Sequence, residues 1–271
     1  MRRKIVIAGA SPVGAETAER VLRHGASEVL LIDSDESTAE SAAGDLAAAE
    51  GDPRVRAAGS WEAAAGAGLA VIAGGDPEAA ARGVAEHCPG AVVVVALDDV
   101  EAACARVLAA SGFPRGRVLG IGGAVEALRL RAGLARALDV AARDVGALVL
   151  GGRGERAVPV LSAFRVAGLA VTDKLAAERV AALVAALRSG PPAGARTVAA
   201  ATAAVVDAVS ADRRALTPVA LLCEGELGVR DAVAGVPAVL GEGGVLQVVE
   251  APLDEDERAA LVASAAPRVA V

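Results

Sequence analysis

Short apolar runs alternate with segments of helical periodicity along the first part of the chain. KIVIAGA (4–10) is a β-branched run that contains a glycine near its end, VGAETAERVLRHGA (13–26) spaces its apolar residues as a helix does, and SEVLLIDSD (27–35) is a second apolar run. This order of strand, glycine turn, helix and strand predicts a βαβ unit with buried parallel strands.

Three later runs continue the alternation: LAVIAGG (69–75), AVVVVAL (91–97) and GRVLGIGG (116–123). Between them Ala and Val recur at amphipathic spacing, which predicts helices over residues 77–87 and 100–110. Alternating strands and helices are typical of a doubly wound parallel sheet, so we expect an α/β fold. We expect a first, dinucleotide-binding domain over residues 1–123 and a second, α+β domain over residues 124–271.

The composition narrows the class of partner. The chain is 54% apolar and has a formal net charge of −7 without a cluster of Lys or Arg, whereas nucleic acids and anionic membranes require a dense positive surface. Charged residues interrupt each apolar stretch before the roughly 20 residues that a membrane span needs. The three cysteines are far apart and form no CxxC or Cys/His pair, so we expect neither a disulfide framework nor a metal site. The sequence thus predicts a cytoplasmic protein that binds small molecules, and its excess of Ala, Arg, Gly and Val, typical of a GC-rich genome, predicts a bacterial source.

The turn GASPVG between the first strand and the first helix resembles a GxGxxG fingerprint. Gly9 and Gly14 occupy the outer glycine positions, and Ser11 stands at the middle one, followed by Pro12 and Val13. At such a turn the helix N-terminus offers backbone N–H groups and a favourable dipole to a pyrophosphate. The Cβ of Ser11 weakens the fingerprint, because the backbone has to approach the phosphates closely at this position.

Asp33 strengthens the prediction of a dinucleotide site. It ends the second strand, 19 residues after Gly14, where an acidic side chain binds the ribose diol. Since a 2′-phosphate would meet its negative charge, Asp33 favours NAD over NADP. The pattern therefore predicts a weakened NAD site, and a tight βα turn without a ligand is the alternative.

Longer segments resemble the malate/lactate dehydrogenase family. ASGFPRGRVLGIGG (110–123) is similar to the family's segment before its active-site helix, VLGGRGERAVPV (149–160) to its catalytic turn, and LCEGELGVRDAVAGVPAVLGEGGV (222–245) to its C-terminal antiparallel sheet. The resemblance implies a Rossmann-like domain followed by an α+β substrate domain, in a homodimer or homotetramer.

The resemblance also identifies a substitution at the catalytic turn. The family has a His there as proton shuttle, oriented by an Asp one helix away, and Arg153 and Glu126 stand at these two positions. A guanidinium keeps its proton at any ordinary pH, so Arg153 can stabilise negative charge but cannot shuttle a proton. Arg129 matches the family's Arg that grips the substrate carboxylate, while its i, i+3 spacing from Glu126 also permits a simple helix ion pair.

Two further segments depart from the family pattern. AGGDPEAAARGVAEHCPG runs directly into the next helix, where the resemblance implies a mobile lid that carries two arginines. Asp98 and Asp99 stand where the family has an Asn-Pro pair, whose Asn contacts cofactor and substrate. We therefore expect a shorter and wetter cleft that does not close over a small hydroxy acid.

Three functional interpretations follow. The first is a repurposed enzyme acting on a small anionic substrate, whose reactive groups would be Arg153, Glu126, Arg129, Asp98 and Asp99. The second is an NAD-binding or regulatory protein without catalysis, and the third is an NAD-dependent 2-hydroxy-acid oxidoreductase with a substituted acid/base. The combined loss of His, lid and Asn-Pro disfavours the third. We further expect Glu126 and Arg153 to form an ion pair that leaves Arg129 available to an anion.

Overall fold

The first half of the molecule is a regular alternation of strands and helices. The structure, a computed structural model, describes residues 3–267. The strands of this half are β1 (Lys4–Ala8), β2 (Glu28–Ile32), β3 (Val55–Ala57), β4 (Leu69–Ile72), β5 (Val92–Val95) and β6 (Val118–Gly120). Its helices are α1 (Pro12–Arg23), α2 (Glu36–Glu50), α3 (Pro77–His87) and α4 (Val100–Ser111). The strands pair in parallel in the order β3-β2-β1-β4-β5-β6, which confirms the predicted doubly wound sheet.

The second half adds antiparallel strands and four helices. In chain order these elements are α5 (Gly122–Leu138), β7 (Val145–Gly151), β8 (Ala157–Val166), β9 (Leu169–Ala170), α6 (Ala177–Ser189), α7 (Ala195–Ser210), β10 (Ala215–Glu224), β11 (Arg230–Gly241), β12 (Gly244–Val248), α8 (Glu255–Ser264) and β13 (Ala266–Pro267). Strands β7, β8 and β9 form a sheet of their own. Strands β10 to β12 are antiparallel, as predicted, and extend the first sheet, because Ala220 of β10 pairs with Gly120 of β6. The boundary at residue 123 stays a prediction.

Local sequence explains where the helices begin. The Asp76 carboxylate accepts the N–H of Glu78 at 3.0 Å and caps α3, whose bounds are those predicted. Helix α2 was not predicted, because its Ala-rich sequence buries only a few side chains and shows little periodicity. Asp35 caps its start, and Gly51 ends it in the left-handed region, with φ 62°. No helix of residues 3–267 is both long enough and apolar enough to cross a membrane.

Two glycines bring β7 close to the main body and so place the turn that follows it. A Cβ on Gly123, at the start of α5, would lie 1.9 Å from the carbonyl oxygen of Val149. A Cβ on Gly235 of β11 would lie 2.1 Å from the carbonyl oxygen of Gly151. Backbone therefore packs on backbone on both sides of β7, and the 152–156 turn is held near the first turns of α5.

Candidate functional site

The glycine turn after β1 has the tight geometry of a dinucleotide-binding loop. Gly9 has φ 98°, and a Cβ on Gly14 would lie 1.9 Å from the carbonyl oxygen of Gly9, so α1 can begin this close to β1 only with glycine at both positions. Ser11 caps α1: its Oγ accepts the N–H of Gly14 at 3.3 Å and donates to the carbonyl oxygen of Ala73 at 2.9 Å. The Ser11 hydroxyl thus already has one donor and one acceptor partner in the protein backbone.

This capping reduces what α1 can offer to an anion. Among the first three positions of the helix, Pro12 has no N–H and Gly14 donates to Ser11. Val13 is the one remaining donor of these three positions. A helix N-terminus binds phosphate through several such N–H groups, so this turn is a weaker anion site than an uncapped one.

Asp33 lies directly after β2 and faces the same turn. Its Oδ2 accepts the N–H of Ala10 at 2.8 Å, and its Oδ1 accepts the N–H of Asp35 at 3.1 Å. The bond from Ala10 is the main reason why the pKa of Asp33 lies below its ordinary value, against a smaller opposing effect of burial. A carboxylate has about four lone-pair sites, so Asp33 remains able to accept a ribose hydroxyl.

A cavity of about 300 Å³ adjoins Asp33 at the carboxyl ends of β1, β2 and β4. The residues that line it include Gly9, Asp33, Trp61, Gly74 and Asp76. In doubly wound sheets a nucleotide binds at this edge, where the strand order reverses. The adenosine side of an NAD molecule therefore fits the residues present, whereas its pyrophosphate would find few donors.

A second cavity of about 300 Å³ lies at the carboxyl end of β5, between the 152–156 turn, α5 and the end of α6. We call it the arginine cleft and define it by Arg129, Arg153, Arg188, Asp98 and Glu126, all of which line it. All of them except Arg188 were predicted from the sequence. The fold brings these four predicted residues together from three segments: the end of β5, α5 and the 152–156 turn.

Each predicted cation in the arginine cleft has a carboxylate partner. Arg153 Nη1 lies 3.0 Å from Asp98 Oδ1, and only 9% of the Arg153 side chain is exposed against 99% of Asp98. Arg129 Nη1 lies 2.9 Å from Glu126 Oε2, and Glu126 is 1% exposed. Arg129 also donates through Nη2 to the carbonyl oxygen of Pro191 at 2.7 Å.

The predicted ion pair between Glu126 and Arg153 is therefore wrong. Glu126 is engaged by Arg129 one turn later on the same helix, and its Oε1 accepts the backbone N–H of Gly154 at 3.3 Å. The turn thus presents its backbone, not the Arg153 side chain, to Glu126. Arg153 points instead to Asp98 before α4, and Arg129 is engaged rather than left available.

Asp99 lies outside the lining of the arginine cleft, and three side chains in and around this site, Glu101, Arg156 and Arg188, were not predicted from the sequence. Asp99 Oδ1 lies 2.7 Å from Arg156 Nη2, which is also 3.2 Å from Oε2 of the buried Glu101. Arg188, in the last turn of α6, donates through Nε to the carbonyl oxygen of Ala157 at 3.0 Å. No motif marks these three side chains, and the only signal was Glu101 itself, an acidic residue among the apolar residues of α4.

Neither histidine of the chain lies near the arginine cleft. The chain contains two, His24 after the last turn of α1 and His87 at the end of α3. Both helices run antiparallel to the strands that they connect, so their C-termini lie at the amino edge of the sheet. The arginine cleft lies at the carboxyl edge.

Comparison with known proteins decides the family. A sequence profile of the lactate/malate dehydrogenase alpha/beta C-terminal domain matches residues 125–267. The malate dehydrogenase of Thermomicrobium roseum is 35% identical, with 98% of this chain and 96% of the relative covered. The chain belongs to the lactate/malate dehydrogenase family. The malate dehydrogenase of Sorangium cellulosum, 32% identical over 97% of this chain and 95% of the relative, agrees with this membership.

The fold of this family member is that of its relatives. The solved structure of malate dehydrogenase from Salinibacter ruber superposes with a TM-score of 0.91 at 30% identity, covering 96% of this chain and 93% of that one. The alignment with the Thermomicrobium roseum protein runs over 295 positions, more than the 271 residues of this chain. The relative therefore has residues where this chain has none.

Proposed function

We propose that this family member acts on a small anionic substrate in the arginine cleft by a reaction other than the NAD-linked oxidation of malate or lactate. The observation that carries the proposal is that three guanidinium groups and no imidazole line this cleft. Moving a hydride to or from a hydroxy acid requires a group that exchanges the hydroxyl proton near neutral pH. A guanidinium stays protonated, so these arginines bind charge without exchanging the proton.

The Arg153–Asp98 pair supports binding of an anion. Arg153 is largely buried, whereas its partner Asp98 is almost fully exposed and can leave without losing packing contacts. A ligand carboxylate that takes the place of Asp98 keeps the largely buried Arg153 paired, so the exchange leaves no buried charge without a partner. A bidentate contact of that carboxylate with the guanidinium would then favour the complex.

The connection before α3 supports a reaction that does not need a closed site. Only residues 73–76 join β4 to α3, which is too short a segment to fold over the cleft. A lid excludes water and completes the catalytic arrangement in enzymes that depend on it. The arginine cleft thus remains open to water, which suits binding and proton chemistry better than hydride transfer.

We infer that NAD binds weakly at the glycine turn. Asp33 would hold the ribose, the cavity beside Trp61 would hold the adenosine, and Val13 would donate to the pyrophosphate. When bound, NAD supplies a hydride acceptor at its nicotinamide. The capping by Ser11 lowers the number of phosphate contacts and hence the affinity.

A second candidate function is binding or regulation without catalysis. It is favoured by the observation that two of the three carboxylates lining this cavity already have partners, Asp98 with Arg153 and Glu126 with Arg129 and Gly154. A carboxylate held in this way is less available as a base. The third, Glu155, is exposed and has no ion-pair partner among the described residues. Screening of 2-hydroxy acids, dicarboxylates and phosphorylated acids for chemical change, with and without NAD, distinguishes a repurposed enzyme from a binder.

We expect no appreciable oxidation of malate or lactate with NAD or NADP. The physical reason is that Arg153 cannot accept the hydroxyl proton and that no segment closes over the cleft. Absorbance of the reduced nicotinamide measures this directly. A turnover near 1 s⁻¹, which is about the low end of ordinary enzyme rates, would contradict the proposal.

We expect Asp33→Ala to weaken NAD binding by roughly tenfold or more, the usual effect of losing a hydrogen bond to a charged group. Trp61 is the only tryptophan and lines the same cavity as Asp33, so its fluorescence reports binding directly. Asp256→Ala, at an exposed position of α8, is the matched control. Unchanged affinity in Asp33→Ala would remove the ribose assignment, and equal affinity for NADP would remove the preference for NAD.

A further inference from the structure

The first turn of α4 buries a carboxyl group that the proposed function does not use. Glu101 is 0% exposed, and among the described residues neither of its carboxylate oxygens has a hydrogen-bond partner. Arg156 Nη2, 3.2 Å from Oε2, makes an ionic contact rather than a hydrogen bond, and it is shared with Asp99. An unsatisfied buried carboxylate is costly, so this group calls for an explanation.

Glu101 lies beneath the turn that carries Arg153. A Cβ on Gly152 would come within 2.9 Å of Arg156 Cβ and 3.1 Å of Glu101 Oε2, so the glycine lets the turn pack closely on the carboxyl group. The next residue along this turn is Arg153. The charge of Glu101 therefore lies beneath the same turn as Arg153, the cation to which a substrate carboxylate would bind.

The charges around Glu101 come from two elements. The 152–156 turn contributes Arg153 and Arg156 and also carries the exposed Glu155, while α4 and the residue before it contribute the buried thiol of Cys104 and Asp99. Strands β5, β6 and β13, which pack against α4, contain no ionisable residue. Helix α3 and strands β10 and β11 also pack against α4 and do contain ionisable residues, but none of these forms an ion pair with Glu101 or is among the groups that shift its pKa; they are Glu78, Arg82, Glu86, His87, Cys223, Glu224, Arg230 and Asp231. Burial raises the pKa of Glu101 to about 7, and the positive charge of Arg156 is the largest effect that opposes it.

The balance of charge therefore changes at neutral pH. With Glu101 protonated, Arg153 and Arg156 face the carboxylates of Asp98 and Asp99, one cation for each anion. With Glu101 ionised, the same group has one extra negative charge. A ligand carboxylate that binds Arg153 then meets this charge across the turn, and proton uptake by Glu101 removes the repulsion.

We propose that Glu101 is a positioning residue that takes up a proton when a small carboxylate binds Arg153, so that binding at the arginine cleft is coupled to proton uptake. This inference rests on the proposed function, since it assumes that the cleft binds anions. It gives the cleft a group that responds to pH near neutrality, although neither Arg153 nor Arg129 can do so.

Calorimetric titration of the full chain with malonate tests the coupling. Titrations at pH 7 in Tris and in imidazole, which differ in heat of ionisation, give the number of protons taken up from the difference in apparent heat. We expect a net uptake of a fraction of one proton. We also expect affinity to fall by up to about tenfold between pH 6 and pH 8.5, the effect of a shift of one pKa unit.

Two variants separate the coupling from a general effect of charge. Glu101→Gln should abolish proton uptake and make the affinity independent of pH over this range. Asp99→Asn removes the other carboxylate on Arg156 and should raise the affinity at every pH while uptake persists. Uptake that persists in Glu101→Gln would overturn the inference.

The outcomes for the unmodified chain are distinguishable. Malonate binding without proton uptake overturns the inference and leaves the proposed function intact, even where Glu101→Gln fails to fold. Absence of malonate binding, or binding that survives Arg153→Met unchanged, overturns the proposed function and the inference with it.

Discussion

Replacing Arg129 with Met is expected to lower the free energy of unfolding by roughly 3 kcal/mol, the lower end of the cost of removing one partner from a buried ion pair. Glu126 is 1% exposed, and after the change it keeps a single weak acceptor contact, to the N–H of Gly154. The carbonyl oxygen of Pro191 loses its donor as well. Urea unfolding of both proteins at pH 7 measures the difference.

The double variant Glu126→Gln, Arg129→Met separates the lost attraction from the buried charge that is left behind. A neutral amide at residue 126 removes most of the penalty, so the double variant should recover at least about half of the stability that the single variant loses. Equal stability of the single and double variants would show that Glu126 reaches water after all.

The sequence predicts the first half of the fold because its signals are local. A run such as AVVVVAL forms β5 and is buried on both faces, and the Asp76-Pro77 pair starts α3 by capping and by a fixed φ. The join between β6 and β10 is different. It depends on one pair, Ala220 and Gly120, about a hundred residues apart in the chain, and no periodicity encodes such a contact.

The sequence also predicts which residues line the arginine cleft, but it does not predict which of them form ion pairs with each other. Arg153, Glu126, Arg129 and Asp98 follow from resemblance and from their places at strand and helix ends. Which carboxylate meets which guanidinium is decided by the path of the turn between β7 and β8, and that path is set by backbone contacts at Gly123 and Gly235. Glycines that permit close approach give no directional signal in a sequence, so the Arg153–Asp98 pair could not be foreseen.

The buried carboxylates around the arginine cleft affect the stability of the fold more than the exposed ones do. Asp98 and Asp99 are exposed, so neither carries the cost of a carboxylate removed from water, and the pair of Asp99 with the partly exposed Arg156 contributes little to stability. Glu126 and Glu101 are buried beneath the same turn, and each carries the cost of a charge removed from water. Substitutions at the exposed acids should therefore change ligand binding, whereas those at the buried acids should also change the stability of the fold.

Glu101→Gln is expected to remove a pH dependence of stability worth up to roughly 3 kcal/mol between about pH 4.5 and pH 7. The pKa of Glu101 is about 7 in the folded chain against an ordinary 4.5, so the folded state holds a proton that the unfolded chain has released over this interval. The stabilisation that comes from this retained proton is complete below the unfolded pKa of 4.5 and is lost as the pH rises through the folded pKa of about 7. Groups with lowered pKa values, such as Asp33, act in the opposite sense and at lower pH.

Urea unfolding of the parent chain and of Glu101→Gln at pH 5, 6, 7 and 8 tests this difference, and Glu40→Gln on the exposed face of α2 serves as a surface control. The difference in free energy of unfolding between the parent and Glu101→Gln should change by roughly 1.4 kcal/mol per pH unit in the middle of the interval and level off above pH 7. The control should follow the parent throughout. Parallel curves for parent and Glu101→Gln would mean that the Glu101 carboxyl ionises in the folded chain as it does in water, and the charge beneath the turn of Arg153 would then be permanent.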